Sequence, residues 1–169
     1  MKLSSFEELV RTLNAASVPF IVVGGLAVNA HGYGRQTADV DLVIRLDAST
    51  IDNAFRALGS MGYRPRVPVT AADLSDATRR AQLTAEKGMT VIGFHSDMHR
   101  ETPVDIFASE PFNFAAEYDR ALVEEVAPGI PVRIVRLDTL LRLKRMAGRP
   151  QDLADIAELS LLHGDSDGQ

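Results

Sequence analysis

The sequence predicts a mixed α/β domain in which a small mixed β-sheet is flanked by helices, with further helices towards the C-terminus. Two observations carry this prediction. Short apolar runs rich in β-branched residues, such as "FIVV" at 20–23 and "VDLVI" at 40–44, are typical of buried strands. Amphipathic segments at 6–13 and 47–62 alternate with these runs, and their apolar residues recur at helical spacing.

The first part of the chain predicts alternating helices and strands. Ser5 and Glu8 are spaced as a capping box at the start of a helix that ends near Ala16. The glycines of "FIVVGG" close the first strand, and an acidic N-cap at Asp47 opens a later helix. The predicted order is helix 5–16, strand 20–25, short helix 26–31, strand 38–46 and helix 47–62.

The second part predicts a hairpin and four further helical segments. "GMTVIGFHS" and "TPVDIFAS" indicate two strands joined by a polar turn, and "IPVRIVRL" indicates another strand. The segment "FNFAAEYDRALVEEV" is expected to be helical in its second half. Asp138 as N-cap and Gly148 as stop predict one closing helix, and Pro150 begins the last one. A helix is also expected over 71–87, and residues 165–169 are expected to form a flexible tail.

The composition excludes several classes of protein. At 169 residues, with 46% hydrophobic and 24% charged, the chain fits a single globular domain. The 18 basic and 23 acidic residues give a net charge of −5, which argues against indiscriminate binding to nucleic acid. Without cysteine, any metal must be held by oxygen or imidazole ligands, as a hard cation would be. No signal peptide or membrane span is predicted, so we expect a cytoplasmic protein without membrane contact.

Two aspartates open the second strand, separated by one valine. Because side chains alternate along a strand, Asp39 and Asp41 are expected to project from the same face. Two neighbouring carboxylates repel each other, and a proton or a divalent cation such as Mg²⁺ or Mn²⁺ relieves the repulsion. The alternative interpretation is a chance pair of acids, because this short pattern is common.

A third carboxylate occurs in a later strand. Asp105 stands between Val104 and Ile106 in "PVDIF", an otherwise aliphatic segment. If this strand lies beside that of Asp41, three carboxylates converge at one place. The alternative is a charge on an edge strand that prevents aggregation.

A glycine pair separates the first strand from the short helix. Gly24 and Gly25 would allow a ligand to approach the backbone, and the free amides of a helix start favour phosphate. Neither the Walker pattern nor the Rossmann glycine pattern is present. The alternative is a plain tight turn between strand and helix.

These motifs together resemble the DNA polymerase beta-type nucleotidyltransferase superfamily. The run "GG…GxGRxTxDxDLV" includes Arg35, Thr37, Asp39 and Asp41, and resembles the superfamily signature. The later "LLRLKRMAGRPQDLADIAEL" at 140–159 is similar to the closing motif of the AbiEii/AbiGii-like branch, which contains toxins of bacterial toxin–antitoxin systems. The resemblance implies a nucleotidyltransferase fold in one domain over 1–164. Residues 1–110 would form the catalytic core, and residues 111–164 the C-terminal strand and helices.

The resemblance also implies roles for single residues. Catalysis is expected from Asp39, Asp41, Asp105 and Lys144, of which the three aspartates would bind Mg²⁺ or Mn²⁺. The residues expected to bind the nucleotide are Gly24, Gly25, Arg35, Thr37, Lys144, Arg149 and Asp152. Two alternatives stay open. The helix dipole alone explains the charges of Lys144, Asp152 and Asp155, and Arg35 would pair with the acidic cluster without contacting phosphate.

The implied reaction is transfer of a nucleoside monophosphate from an NTP to an acceptor hydroxyl. The acceptor would be RNA such as tRNA, a protein or a small molecule, and a toxin would have a cognate antitoxin as partner. Two other hypotheses are a degenerate nucleotide-binding module of the same fold and an interaction protein whose aspartates protect an edge strand. The middle segment has a basic bias, which would either guide an RNA acceptor or form a solvated face. Its basic residues are Arg64, Arg66, Arg79, Arg80 and Lys87.

Overall fold

Residues 1–164 are described by a computed structural model, and they form a seven-stranded mixed sheet with helices packed around it. The strands are β1 (Phe20–Val23), β2 (Val40–Ile44), β3 (Arg64–Pro65), β4 (Val91–His95), β5 (Val104–Phe107), β6 (Leu122–Ala127) and β7 (Ile130–Ile134). The helices are α1 (Leu3–Ala15), α2 (Gly24–Ala30), α3 (Ala48–Ser60), α4 (Ala71–Ser75), α5 (Ala77–Lys87), α6 (Phe114–Arg120), α7 (Leu137–Ala147) and α8 (Pro150–His163). The predicted tail at 165–169 lies outside the described residues.

The strand order across the sheet is β3-β4-β5-β2-β1-β7-β6. The β2–β5 and β1–β7 pairs are parallel, and the other neighbouring pairs are antiparallel. All four residues of β1 are buried, as an apolar run in a central strand requires. The predicted class, a small mixed sheet flanked by helices with two more at the C-terminal end, is confirmed. No helix within residues 1–164 has the length and apolar character needed to cross a membrane.

The sheet order removes the edge-strand interpretation of the acidic residues. Strand β2 lies between β5 and β1, and β5 lies between β4 and β2. Both strands that carry carboxylates are therefore interior, where an aggregation-blocking charge serves no purpose. The alternative interpretation of Asp105 as an edge-strand charge was therefore wrong, since sequence alone does not reveal which strands pair.

The predicted capping box of the first helix was also wrong. Helix α1 begins at Leu3, with Lys2 at the N-cap position and no side-chain cap. Ser5 is buried, and its hydroxyl lies 2.9 Å from Nδ1 of His99. A tertiary hydrogen bond therefore takes the place of the local cap.

In the segment 112–126 the helix lies in the first half, whereas it was predicted in the second half. Its first half is α6, capped by the side chain of Asn113, and its second half belongs to the edge strand β6. Strand β6 returns through Gly129, whose φ is +77°, to pair with β7. Its residues are mostly exposed, so pairing with β7 determines the strand and the local pattern does not.

Two smaller differences concern helix ends. The helix predicted over 71–87 is divided at Asp76 into α4 and α5. Asp138 lies in the first turn of α7, after the N-cap residue Arg136, so it is not the predicted N-cap. The buried carboxylate of Glu117 accepts hydrogen bonds from the Arg136 backbone amide at 2.9 Å and the Thr139 hydroxyl at 2.9 Å, and so caps α7 from another helix.

Candidate active site

Three residues form a row across neighbouring strands at the centre of the site. Gly93 of β4 is the register partner of Asp105 in β5, and Asp105 is the partner of Asp41 in β2. Paired residues in a sheet project their side chains to the same face. The carboxylates of Asp41 and Asp105 therefore lie next to each other, which was the outcome expected if their two strands were neighbours.

The electrostatics confirm that the acidic groups interact. Burial, followed by the charges of Asp105 and Asp39, raises the pKa of Asp41 to about 6, against the opposing charges of Arg149 and Lys144. Burial and the charge of Asp39 likewise raise the pKa of Asp105, while Arg66 lowers it. Ionising these carboxylates together is therefore unfavourable.

Asp39 differs from the other two in its surroundings. It is exposed and lies one residue before β2 begins, outside the regular strand. The hydroxyl of Thr37 donates to its backbone carbonyl at 3.4 Å. Its charge acts on both Asp41 and Asp105, so Asp39 belongs to the same cluster.

The donor set suits a hard divalent cation in chemistry and charge. Carboxylate oxygens are the preferred ligands of Mg²⁺, and a cation would offset the repulsion that raises the pKa of Asp41. The three carboxylates do not form a closed cage: among residues 1–164, no group of three or more acidic or imidazole side chains is gathered around a metal position. Asp41 and Asp105 thus form a pair of neighbouring carboxylates, with Asp39 at the exposed side.

The two glycines are the first residues of α2 and pack directly against site side chains. Gly24 has a φ of +65°, and a Cβ atom there would overlap the carboxylate of Asp41. A Cβ atom on Gly25 would overlap the side chain of Thr37 and lie 3.3 Å from Nη2 of Arg35. Both positions therefore need glycine for a reason beyond that of a plain turn, because side chains of the signature occupy the space.

A buried ion-pair network joins the two C-terminal helices. Nζ of Lys144 lies 3.1 Å from Oδ1 of Asp152 and 2.7 Å from Oδ2 of Asp155. Arg35 donates two hydrogen bonds to Asp155, at 2.7 and 2.8 Å, and Arg149 binds Asp152 at 2.7 Å. The ammonium group of Lys144 is thus ion-paired with two carboxylates, and the Lys144 side chain is 5% exposed.

This network gathers four residues that the sequence assigned to the nucleotide, and it also contains Asp155, whose charge the helix dipole alone had explained. Asp155 is fully buried, and burial opposes its ionisation. Hydrogen bonds from Arg35, Lys144 and Gln151 outweigh burial and hold the pKa of Asp155 below its usual range. Its spacing of three residues from Asp152 on one helix face was the available signal.

The loop before Asp39 is fixed at Arg35. The side chain of Asn29 in α2 accepts from the Arg35 amide at 3.0 Å and donates to the Arg35 carbonyl at 2.9 Å. With the Arg35–Asp155 pair, this ties the loop to both α2 and α8. A cleft of about 650 Å³ opens beside it, lined in part by Arg35, Thr37 and residues next to them.

Two residues at the other end of the row were not assigned to the site by the sequence. The backbone amide of Arg66 donates to the Gly93 carbonyl at 2.8 Å. A Cβ atom on Gly93 would lie 3.2 Å from Cδ of Arg66 and 3.2 Å from Oδ1 of Asp105. Because Gly93 has no side chain, Arg66 has room on the face of the sheet from which Asp105 projects. A lone glycine in a strand was the only local signal.

Comparison with known proteins supports the fold. No protein-family model matches the chain, and no curated protein matches it significantly. Among solved structures, the crystal structure of ANT(2″)-Ia in complex with adenylyl-2″-tobramycin matches with a TM-score of 0.59 and 13% identity, over 96% of this chain and 89% of that one. The solution structure of the antibiotic-resistance factor ANT(2″)-Ia matches with a TM-score of 0.58 and 14% identity, over 96% and 86%. The chain therefore has the nucleotidyltransferase fold.

Proposed function

We propose that this chain is a metal-dependent nucleotidyltransferase of the DNA polymerase beta type, which transfers a nucleoside monophosphate from an NTP to an acceptor hydroxyl. The observation that carries this proposal is the register pairing of Asp41 with Asp105 in two interior strands, with Asp39 and Gly24 next to them. Carboxylates in the middle of a sheet cost stability unless they serve a ligand. The fold shared with ANT(2″)-Ia is consistent with this chemistry.

The three aspartates would hold Mg²⁺ or Mn²⁺ in this reaction. The cation would supply charge neutralisation for the phosphates of the NTP. Asp105 would accept the proton of the acceptor hydroxyl, because its raised pKa makes it a better base than an ordinary carboxylate. No protein nucleophile is needed, because the acceptor attacks the α-phosphorus directly and pyrophosphate leaves.

The nucleotide would lie on the α2–α8 side of the carboxylates, near Gly24, Gly25 and Thr37. Arg149 is the cation best placed to contact phosphate, since its side chain is 75% exposed and its charge reaches Asp41. Lys144 would act indirectly, because it is buried between two carboxylates. Arg35, Lys144 and Asp152 would then position Arg149 and the loop that carries Thr37 and Asp39.

The acceptor is proposed from the chemistry of the reaction and the resemblance. RNA such as tRNA, a protein or a small molecule with a free hydroxyl would serve, and tobramycin is a reasonable test compound because ANT(2″)-Ia was solved with its adenylylated form. Membership of the AbiEii/AbiGii-like branch would make the chain the toxin of a toxin–antitoxin pair with a cognate antitoxin. We propose a cytoplasmic setting, where NTPs are available.

The second candidate is a catalytically degenerate module that binds a nucleotide without transferring it. The complete set of Asp39, Asp41 and Asp105 favours the active enzyme, because a binding module does not need three repelling carboxylates. Stabilisation of the fold by an NTP without any transfer would favour the module. An interaction protein without ligand would show neither effect.

One experiment tests the proposal. The protein is incubated with each labelled NTP, with Mg²⁺ or Mn²⁺, and with separate pools of RNA, protein and small hydroxyl compounds including tobramycin. Asp39→Ala and Asp41→Asn are run beside wild type, with Asp119→Asn as a control at an exposed position of α6. Transfer that the first two variants lose and the control keeps supports the proposal. Transfer by Asp41→Asn at the wild-type rate would overturn the site assignment.

A further inference from the structure

Cations lie at both ends of the row formed by Gly93, Asp105 and Asp41, and the surroundings of these cations differ between the two ends. On the α7–α8 side, Arg149 and Lys144 are bound to Asp152 or Asp155. On the β3–β4 side, the exposed guanidinium of Arg66 forms no hydrogen bond or ion pair within residues 1–164. Arg66 thus presents an uncommitted guanidinium beside the candidate metal ligands.

The placement of Arg66 is determined by the sheet. Its amide is fixed to the Gly93 carbonyl, and its side chain crosses Gly93 on the face where Asp105 projects. Any larger residue at 93 would fill this path. Two other basic residues of the segment bind locally: Arg79 lies 3.6 Å from Asp73, and Arg80 donates to the Leu74 carbonyl. Arg66 instead reaches the face of the sheet on which Asp105 projects.

The geometry of phosphoryl transfer indicates which substrate would approach the end of the row where Arg66 lies. Attacking and leaving oxygens lie on opposite sides of the phosphorus. If the NTP enters beside Gly24 and Arg149, its pyrophosphate leaves on that side and the acceptor approaches from the side of Asp105. Arg66 is next to Asp105, and a guanidinium binds phosphate with a planar pair of N–H donors.

We propose that Arg66, laid over Gly93 beside Asp105, binds a phosphate group of the acceptor close to its reacting hydroxyl. This inference rests on the proposed nucleotidyl transfer for the direction from which the acceptor enters. It makes Arg66 a specificity-determining residue that favours phosphorylated acceptors over neutral ones. Both a polynucleotide backbone and a phosphorylated sugar carry the required group.

Binding measurements without turnover test the proposal. The probes are a short fluorescent oligoribonucleotide, and ribose 5-phosphate with unphosphorylated ribose as its neutral match. Affinities are measured for wild type, Arg66→Gln and Arg56→Gln, an exposed arginine of α3 that serves as matched control. Melting temperatures confirm that the variants fold. A non-hydrolysable NTP analogue is titrated in parallel.

We expect a phosphorylated probe to bind wild type, to bind Arg66→Gln about tenfold more weakly, and to bind Arg56→Gln unchanged. Binding of the oligoribonucleotide alone identifies a nucleic-acid source, and binding of ribose 5-phosphate but not ribose identifies a phosphorylated sugar. Equal affinities for wild type and Arg66→Gln, no binding of either probe to wild type, or a loss confined to the NTP analogue would each overturn the proposal. If the analogue does not bind while the probes depend on Arg66, the phosphate site stands and the transferase assignment fails.

Discussion

Lys144 of α7 and Asp155 of α8 form an ion pair of 2.7 Å in which the two side chains are 5% and 0% exposed. Asp152 completes a three-membered group around the ammonium nitrogen at 3.1 Å. Charges this deeply buried are tolerated only when each has a partner. The pair therefore fastens the two C-terminal helices together, and through Arg35 it reaches the loop that leads to Asp39.

Removing the ammonium group should destabilise the fold. Lys144→Met leaves two buried carboxylates without their shared partner, and we expect it to lower the free energy of unfolding by about 3–5 kcal/mol. Urea denaturation measures this value. Arg142→Met, at an exposed position of the same helix, should change it little. Equal unfolding midpoints for Lys144→Met and wild type would show that the network contributes no stability.

The same network should make stability depend on acid pH. Burial opposes ionisation of Asp152 and Asp155, but hydrogen bonds from their cationic partners outweigh it and hold both pKa values below the usual range. A carboxylate with a lowered pKa stabilises the folded state above its unfolded pKa of about 4, and this contribution is lost as the pH falls through the folded value. Unfolding free energies measured between pH 7 and pH 3 should fall less steeply for Asp155→Asn than for wild type. Parallel pH profiles for the two proteins would contradict this account.

Neutralising Asp41 should have the opposite effect on stability. Burial and repulsion by Asp105 and Asp39 raise its pKa to about 6, so its ionised form is costly above that pH. Without divalent cations at pH 8, we expect Asp41→Asn to be more stable than wild type by about 1–3 kcal/mol while losing nucleotidyl transfer.

Metal addition gives an independent measure of the same site. Mn²⁺ or Mg²⁺ should raise the melting temperature of wild type, because a ligand that binds only the folded state stabilises it. The shift should vanish in Asp41→Asn and persist in Asp119→Asn. An identical shift in all three proteins would place the cation elsewhere.

The glycine at the start of α2 should not tolerate a methyl group. Gly24→Ala combines a positive φ of +65° with overlap on the Asp41 carboxylate, so we expect a loss of about 1–3 kcal/mol and reduced transfer. Gly59 of α3 has open space around its Cβ position, and Gly59→Ala should stabilise the protein by about 0.5–1 kcal/mol. Thermal unfolding of the two variants tests the contrast, which fails if both shift in the same direction.

Because the side chain of Arg66 crosses Gly93, we expect the effects of substitutions at these two positions on phosphate binding to be coupled. Gly93→Ala places a methyl group 3.2 Å from Cδ of Arg66 and should weaken phosphate binding in the wild-type background. In the Arg66→Gln background it should cause little further loss, because the guanidinium is already absent. A double-mutant cycle on ribose 5-phosphate affinity measures this coupling. Strictly additive losses would mean that Gly93 acts through Asp105.

Local patterns predicted most of the elements. The runs at 20–23, 40–44 and 104–107 became buried strands because β-branched residues between turn residues have few other stable conformations. The convergence of Asp41 and Asp105 was expected from two polar residues in aliphatic strands. Asp39 directly precedes the strand of Asp41, and its charge raises the pKa of both residues.

Contacts distant in sequence account for what the local patterns did not predict. Strand β6 exists because β7 lies beside it, and Ser5 binds His99 instead of capping its own helix. Lys144 was interpreted as a phosphate ligand from its motif, and its burial between Asp152 and Asp155 becomes visible only when α7 and α8 are packed. No local pattern could show these partners.

The sequence by itself determined the fold class, the acidic residues and the glycine pair, because periodicity and residue chemistry act over a few neighbouring positions. The tertiary structure decided which strands are interior, that Lys144 and Arg149 are paired with carboxylates, and that Arg66 lies beside Asp105. Those outcomes depend on sheet order and helix packing, where residues far apart in the chain compete for the same partners. The position of Arg66 next to Asp105, across a glycine of a third strand, is such an outcome.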